Sequence, residues 1–557
     1  MPILKIIAFL FLFLYVLPLM TALCCMLPVF RHVCFAGMVY FTSNEYSLNF
    51  VPMPNWRGTA RGYAFTAVSL FAVPLLMSMF FSTKHKVKLF PPGAFFYFLY
   101  YLSILLSGIN AIHMHQWGFE VYKMFWMYIT FLAAFNYLNN CKTLTFFIYL
   151  VCSILIILFV VGVYQKYRLG IFQIPSTFPH QNSLSLYLEL FGLLSLGVLM
   201  NEDISKKLFF LCLFAFAGSV LLIIFTYSRG GLVIYFGGIA IVCALSILLN
   251  GFSLRRLTLL LVGMLVMLSV IGYALPRIIQ RFTKAPEASK NTRIVLAISS
   301  KRMANAFRLG VGANNYSEYS GGYYNYVQDY YRENDAPRYG GLVETIYLLV
   351  AAECGWYGMG LLILWFFYYY LSDIISMLYL RKKPCSGIVI GLFGGLTCNY
   401  WHSTLEWSLK QFNNFAGQMV LYALIGVIAV NRKNIKLAYQ HRLAREGKLV
   451  QDKKKKKVRY LFPLVPPGKA VLSTGESILP DAIPAGTTPV SNPPGESILP
   501  DAIPTDTTPV SNPPGESILP DAIPAGSTPV ADSGMPNSPA EPEKDSVLPS
   551  QEQKEIQ

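Results

Sequence analysis

Residues 208–249 read LFFLCLFAFAGSVLLIIFTYSRGGLVIYFGGIAIVCALSILL and carry a single charged side chain, Arg229. About 20 mostly apolar residues cross a bilayer as a helix. Two runs of that length, 207–227 and 231–249, flank the turn Tyr227-Ser-Arg-Gly230. Working outward, comparable blocks fall at roughly 4–30, 62–82, 89–110, 117–139, 143–164, 183–200, 257–275, 342–375, 386–401 and 411–430. The pattern predicts an all-α polytopic membrane protein of about twelve transmembrane helices, spread over a membrane domain of residues 1–430. A hydrophobic content of 54% and a mean hydropathy of +0.46 exclude an ordinary soluble globule. The apolar start of the chain is too long for a signal peptide and shows no small-residue cleavage site, so it reads as a retained first helix.

Charge orients these spans. Lys84, Lys86, Lys88, Lys142, Lys206, Lys207, Arg255, Arg256 and the run Arg381 to Lys383 all fall in turns on one side. By the positive-inside rule that side is cytoplasmic, and both termini lie there. Arg31, Arg57 and Arg61 fall on the other side, against the rule. Residues 431–470 hold 13 Lys/Arg against two acids, which is most of the net charge of +16. Directly after a membrane span, such a run meets anionic lipid rather than nucleic acid, and residues 431–460 read as a basic, partly amphipathic helix lying on the cytoplasmic leaflet. From Gly475 a 20-residue unit, GESILPDAIPAGTTPVSNPP and two near copies, repeats three times. Each copy is rich in proline and lacks aromatics, so residues 471–557 are expected to form a disordered tail.

On the far side the topology collects 165–182, the Arg229 turn, a large periplasmic loop at 276–341, and 401–410. Arg229 is costly between apolar blocks unless it is paired or faces water, and Ser228, Gly230 and Gly231 beside it allow close approach. The loop is net +5, with Arg277, Arg281, Arg293, Lys301, Arg302 and Arg308 clustered ahead of Gly310-Val-Gly-Ala-Asn-Asn-Tyr. Arginine's planar fork suits phosphate oxygens. An apolar chamber ringed by arginines suits a ligand with a greasy tail and a diphosphate head. The ten cysteines sit mostly in apolar segments, with no CxxC spacing, no disulfide framework and no metal pattern.

Several motifs together resemble the O-antigen ligase/polymerase superfamily of membrane glycosyltransferases. They are Phe178-Pro-His-Gln-Asn-Ser, Tyr227-Ser-Arg-Gly-Gly, Arg293 followed by the Gly310 motif, Tyr347-Leu-Leu-Val-Ala-Ala-Glu-Cys-Gly-Trp-Tyr-Gly and Leu405-Glu-Trp-Ser-Leu-Lys-Gln. The resemblance spans about residues 60–430. It implies metal-independent, cofactor-free transfer of a glycan from an undecaprenyl-diphosphate carrier, in the bacterial inner membrane, to a lipid, glycan or protein acceptor. Arg229 and Arg293 match the positions that hold the diphosphate, and Arg302 is a further candidate. The family's histidine at the start of the helix after the large loop is replaced here by Glu344, which then becomes the expected base. His180 and His402 are the other candidates, with Glu353 read as a buried, paired carboxylate. A transporter or flippase of the lipid-linked oligosaccharide is the alternative, although the paired broken helices of an internal repeat are not evident.

Overall fold

The computed structural model describes residues 2–83, 86–261, 263, 272, 287–321 and 341–449, and these are mostly helical. All of the described residues fall in the first of two units, residues 1–476. The Pro-rich repeats lie outside the described residues, as do Arg277, Arg281 and most of the 257–275 block.

Among the described residues, seven helices are long and apolar enough to cross a membrane. They are Ile3–Met26, Cys141–Tyr167, Gln181–Asn201, Lys206–Thr226, Arg229–Asn250, Ile346–Tyr379 and Phe412–Arg442. Helices Ala67–Phe80, Ala94–Ser107, Met114–Tyr137 and Ser386–His402 occupy further expected blocks. Ala67–Phe80 has 14 residues, which reach about 21 Å against a hydrocarbon core of about 30 Å.

Two expectations are corrected. The chain is not purely helical, because Ser47–Pro52 and Gly62–Thr66 pair as an antiparallel hairpin with Ser47 opposite Thr66. The short apolar run from residue 62 has no helical period of its own to distinguish it from a strand. The basic segment, moreover, is not a separate surface helix at its start. Helix Phe412–Leu449 continues unbroken from the apolar part through Arg432, Lys433 and Lys436, and no proline stops it.

Gln181–Asn201 is the most enclosed span, buried along its whole apolar window. It packs on Ser386–His402 through small residues: a Cβ on Gly197 would collide with the Gly387 carbonyl and the Gly391 backbone. Such contacts let two helices approach closely without a hydrophobic drive between them.

The turns sort into two ends. At one, Arg255 donates to the Glu202 carbonyl at 2.8 Å and Lys382 N–H to Asn250 Oδ1 at 2.7 Å. The Glu202 carboxylate there caps helix Ser386–His402, accepting from Gly387 N–H at 2.7 Å. Three of the Lys/Arg-bearing turns therefore meet. At the other end Ile174 N–H bonds the Phe225 carbonyl at 3.3 Å and Ile346 N–H the Ser403 carbonyl at 3.1 Å. Asn314 ties the Gly310 motif to the hairpin loop and to helix Met114–Tyr137, donating to the Ala60 and Gln116 carbonyls, each at 2.9 Å.

Helix Ile346–Tyr379 is broken at a glycine. Gly355 adopts φ 74°, ψ 171°, a region that favours glycine. The break frees the carbonyls of Ala352 and Glu353, which accept from Val311 and Gly312 N–H at 2.9 and 3.0 Å. The Gly310 motif is thus a latch on the broken helix, its backbone donors spent on protein.

Candidate active site

Close packing of Ser386–His402 on Gln181–Asn201 sets His402 Nδ1 2.7 Å from Glu189 Oε1, both fully buried. A carboxylate in so apolar a helix is expensive without a partner, and His402 supplies one. The chain then turns tightly: Leu405 and Glu406 N–H both bond the His402 carbonyl, at 2.8 and 2.9 Å. That turn lays the Glu406 carboxyl over the start of the Gln181 helix, where Asn182 Nδ2 donates to it. Burial pushes Glu406 up to about 7 and nearby Glu344 pushes the same way, while His402, Asn182 and Arg293 oppose them.

Glu344 arrives from the other side. Thr345 Oγ1 donates to the Ser403 carbonyl at 3.3 Å, beside the Ile346 bond to the same oxygen. The entry to helix Ile346–Tyr379 is thereby stitched to the 403 turn. Glu344 forms an ion pair with Arg293, both groups partly exposed. Burial raises the Glu344 carboxyl above its ordinary value, and Arg293 works against that rise. Arg293 is carried by helix Glu287–Ala306, which packs along Ile346–Tyr379 with Leu296, Ser299, Ser300 and Met303 buried.

Arg229 opens helix Arg229–Asn250 after a left-handed Tyr227 (φ 47°), with Ser228 as cap accepting from Gly231 N–H at 3.3 Å. A Cβ on Gly230 would stand 3.0 Å from Leu405 and 3.5 Å from His402 Nε2. The arginine turn therefore abuts the His402–Glu406 turn. Arg229 itself bonds no described residue, and its cation sits at the positive end of a helix dipole. That position is unfavourable by about 0.3–1 kcal/mol unless an anion joins it.

The remaining candidates are further out. His180 is the exposed cap of helix Gln181–Asn201, its Nδ1 accepting from Asn182 N–H at 3.3 Å; burial of part of the ring holds its pKa down. Arg302 is exposed. Nine residues beyond Arg293, it projects from roughly the opposite helix face at 100° per residue. Arg293 and Glu344 are brought together, Arg229 is brought beside His402, and Arg302 is not gathered with them. Among the described residues no group of three or more His, Cys, Asp and Glu could hold a metal ion.

Below this cluster lies a second polar centre. Lys410 Nζ is 2.6 Å from Glu353 and 3.1 Å from Glu120, and Lys123 Nζ is 2.8 Å from Glu120, all four buried. Glu353 is thus the buried, paired carboxylate that its position in the sequence suggested. Glu189, Glu406 and the Glu120–Lys123–Lys410 set had no assigned role in the sequence. Their signal was present: each is a charge inside or beside an apolar block, which obliges a partner. Which partner it takes is a tertiary fact.

Residues 214–366 match the family model described as O-Antigen ligase. The match takes in Arg229, Arg293, Glu344 and Glu353, and bears out the resemblance to the O-antigen ligase/polymerase superfamily. It implies a ligase-type, glycan-transferring domain of polysaccharide and lipopolysaccharide synthesis. Together with the apolar helices it marks a multi-pass membrane protein. No curated protein matches the chain.

Proposed function

We propose that this protein transfers a glycan from an undecaprenyl-diphosphate carrier to an acceptor hydroxyl, without a metal ion, at the periplasmic face of the inner membrane. The observation that carries the reading is the Arg293–Glu344 pair, set beside Glu406. It lies at the end of the bundle away from the gathered Arg255 and Lys382 turns. Arg293 is held by a carboxylate until a stronger anion arrives. The donor's diphosphate takes Arg293 by bidentate hydrogen bonds, and Arg229, which bonds no described residue, receives a second phosphate oxygen at its helix terminus. Arg302, exposed on the loop helix, meets the incoming anion first.

Released from Arg293, the Glu344 carboxylate accepts the proton of the acceptor hydroxyl as that oxygen bonds the anomeric carbon. The bond from that carbon to the diphosphate breaks, and the polyprenyl diphosphate leaves with its charge on the two arginines. His180, the exposed cap of helix Gln181–Asn201 outside that cluster, is the second group able to take the proton. Nothing in the family match favours transport without transfer.

Arg229→Lys keeps the charge and loses the fork. One lost charge-assisted bond corresponds to a fall in transfer of about ten- to a hundredfold. Arg293→Lys is expected to do the same, measured as product formed per mole of membrane-inserted protein. Wild-type transfer in both would remove the diphosphate role. Sidedness has its own test. A periplasm-active reporter fused at Ser320 and a cytoplasm-active one at Gly475 are both expected to report; activity of both positions in the same compartment rejects the twelve-span orientation.

A further inference from the structure

A cavity of about 390 Å³ opens beside the carboxylate cluster, within the roughly 300–1,000 Å³ of small-molecule sites. Ser183 and Trp407 on its wall adjoin Asn182 and Glu406, which bond each other. Its other walls come from the hairpin, from helix Met114–Tyr137 and from the first turn of helix Phe412–Leu449.

The charges that line it are matched in pairs. Lys123 and Lys410 belong to the four-membered network with Glu120 and Glu353, and Arg61 opposes the burial-driven rise of the Glu45 carboxyl. A lining so neutralised has no surplus cation for a phosphate. What it offers is amides. Asn413 and Asn414 are 4% and 1% exposed, yet Asn413 Nδ2 and Asn414 Oδ1 have no partner among the described residues, nor does Asn49 Oδ1 on the hairpin. Buried amide groups left unpaired cost free energy that a ligand recovers. One free donor and two free acceptors, with the Trp407 ring on the same wall, match the hydroxyls and the apolar face of a pyranose.

We propose that this cavity is a saccharide site for a neutral pyranose ring, separate from the diphosphate-holding arginines. The assignment rests on the glycan-transfer reading above and adds where a sugar of donor or acceptor is recognised. It also accounts for an arginine at 61 on the side where the positive-inside rule disfavours one: its charge is answered by Glu45 at the wall of a cavity.

Saturation-transfer NMR on the full-length protein in detergent, with a panel of neutral mono- and disaccharides, tests it. Wild type is expected to saturate the ring protons of at least one sugar, and Asn413→Leu to weaken that binding by about tenfold or more. Asn49→Ala, on the hairpin rather than the helix, gives a second and milder loss that does not depend on folding of the helix terminus. Glu344→Gln retains binding. Binding of a polyprenyl-diphosphate-linked monosaccharide and of bare polyprenyl diphosphate to the same variants separates the sources. A loss confined to the linked sugar assigns the cavity to the donor, and one confined to free sugar assigns it to the acceptor. No sugar bound by wild type, or sugar bound equally by all variants, overturns the site. If transfer then persists and still depends on Arg229 and Arg293, the proposed function stands without it. Sugar binding in a protein that transfers nothing has the reverse meaning.

Discussion

Glu344→Gln is expected to lower turnover by about 100- to 10,000-fold, the usual contribution of general-base assistance, with donor binding nearly unchanged. Glutamine keeps the shape and one carbonyl oxygen but accepts no proton at working pH. It also releases Arg293 from its ion pair, so donor affinity holds or improves slightly while chemistry fails. That split distinguishes a base from a mere anchor for Arg293, whose replacement would change KM and leave turnover alone. The pH profile carries the same information. A base works deprotonated, so wild-type rate falls as pH drops through the Glu344 value, which burial has lifted. Glu344→His is expected to recover part of the rate, with that fall moved up toward about 6.5. Normal turnover in Glu344→Gln would shift attention to His180 and to Glu406. Glu406, pushed up to about 7, titrates in the range where a base is most useful.

How far the sequence could go depended on whether a feature was local. The long apolar blocks at 207–227 and 231–249 return as helices because a bilayer leaves a spanning backbone few alternatives. The break at Gly355 falls in a stretch with two further glycines, Gly358 and Gly360, which interrupt an apolar run longer than one span needs. Glu344 was placed by a departure from a motif, and its position at the mouth of a helix followed from the same motif. The hairpin at 47–66 was not legible, since a run as short as Gly62–Thr66 fits strand and helix alike. Nor could any pattern tell that Glu189 would meet His402, more than 200 residues away. Helical packing decides that pair, through glycines whose spacing says only that some helix comes close. The Gly310 motif shows the converse error to avoid. In this glycine-bearing stretch the N–H groups of Val311 and Gly312 are committed to the carbonyls of Ala352 and Glu353 and that of Gly310 to Phe307, and only those partners reveal that none is left for a phosphate.

Lys410→Met is expected to destabilise the protein by about 3–5 kcal/mol, the scale for breaking a buried ion pair from one side. Lys410 stands between Glu353 at 2.6 Å and Glu120 at 3.1 Å, and its loss leaves Lys123 to face two buried carboxylates. The damage is expected to reach the site, because Lys410 follows Glu406 by four residues, on the same connection. Glu353, for its part, lies two residues before the break at Gly355, where its carbonyl accepts from Gly312. Losing the lysine thus loosens both the 401–410 turn and the latch that seats the loop. The double variant Lys410→Met with Glu353→Gln removes one charge of each sign and keeps Lys123 with Glu120. Replacing both members of a buried pair is often close to neutral, so most of the stability and of the transfer should return. Thermal unfolding of the detergent-solubilised variants, followed alongside transfer, gives the comparison. A single variant as stable as wild type would show that water or lipid headgroups satisfy those carboxylates. A double variant as unstable as the single would instead locate the role of Lys410 in its contacts with the chain around it, and not in its charge.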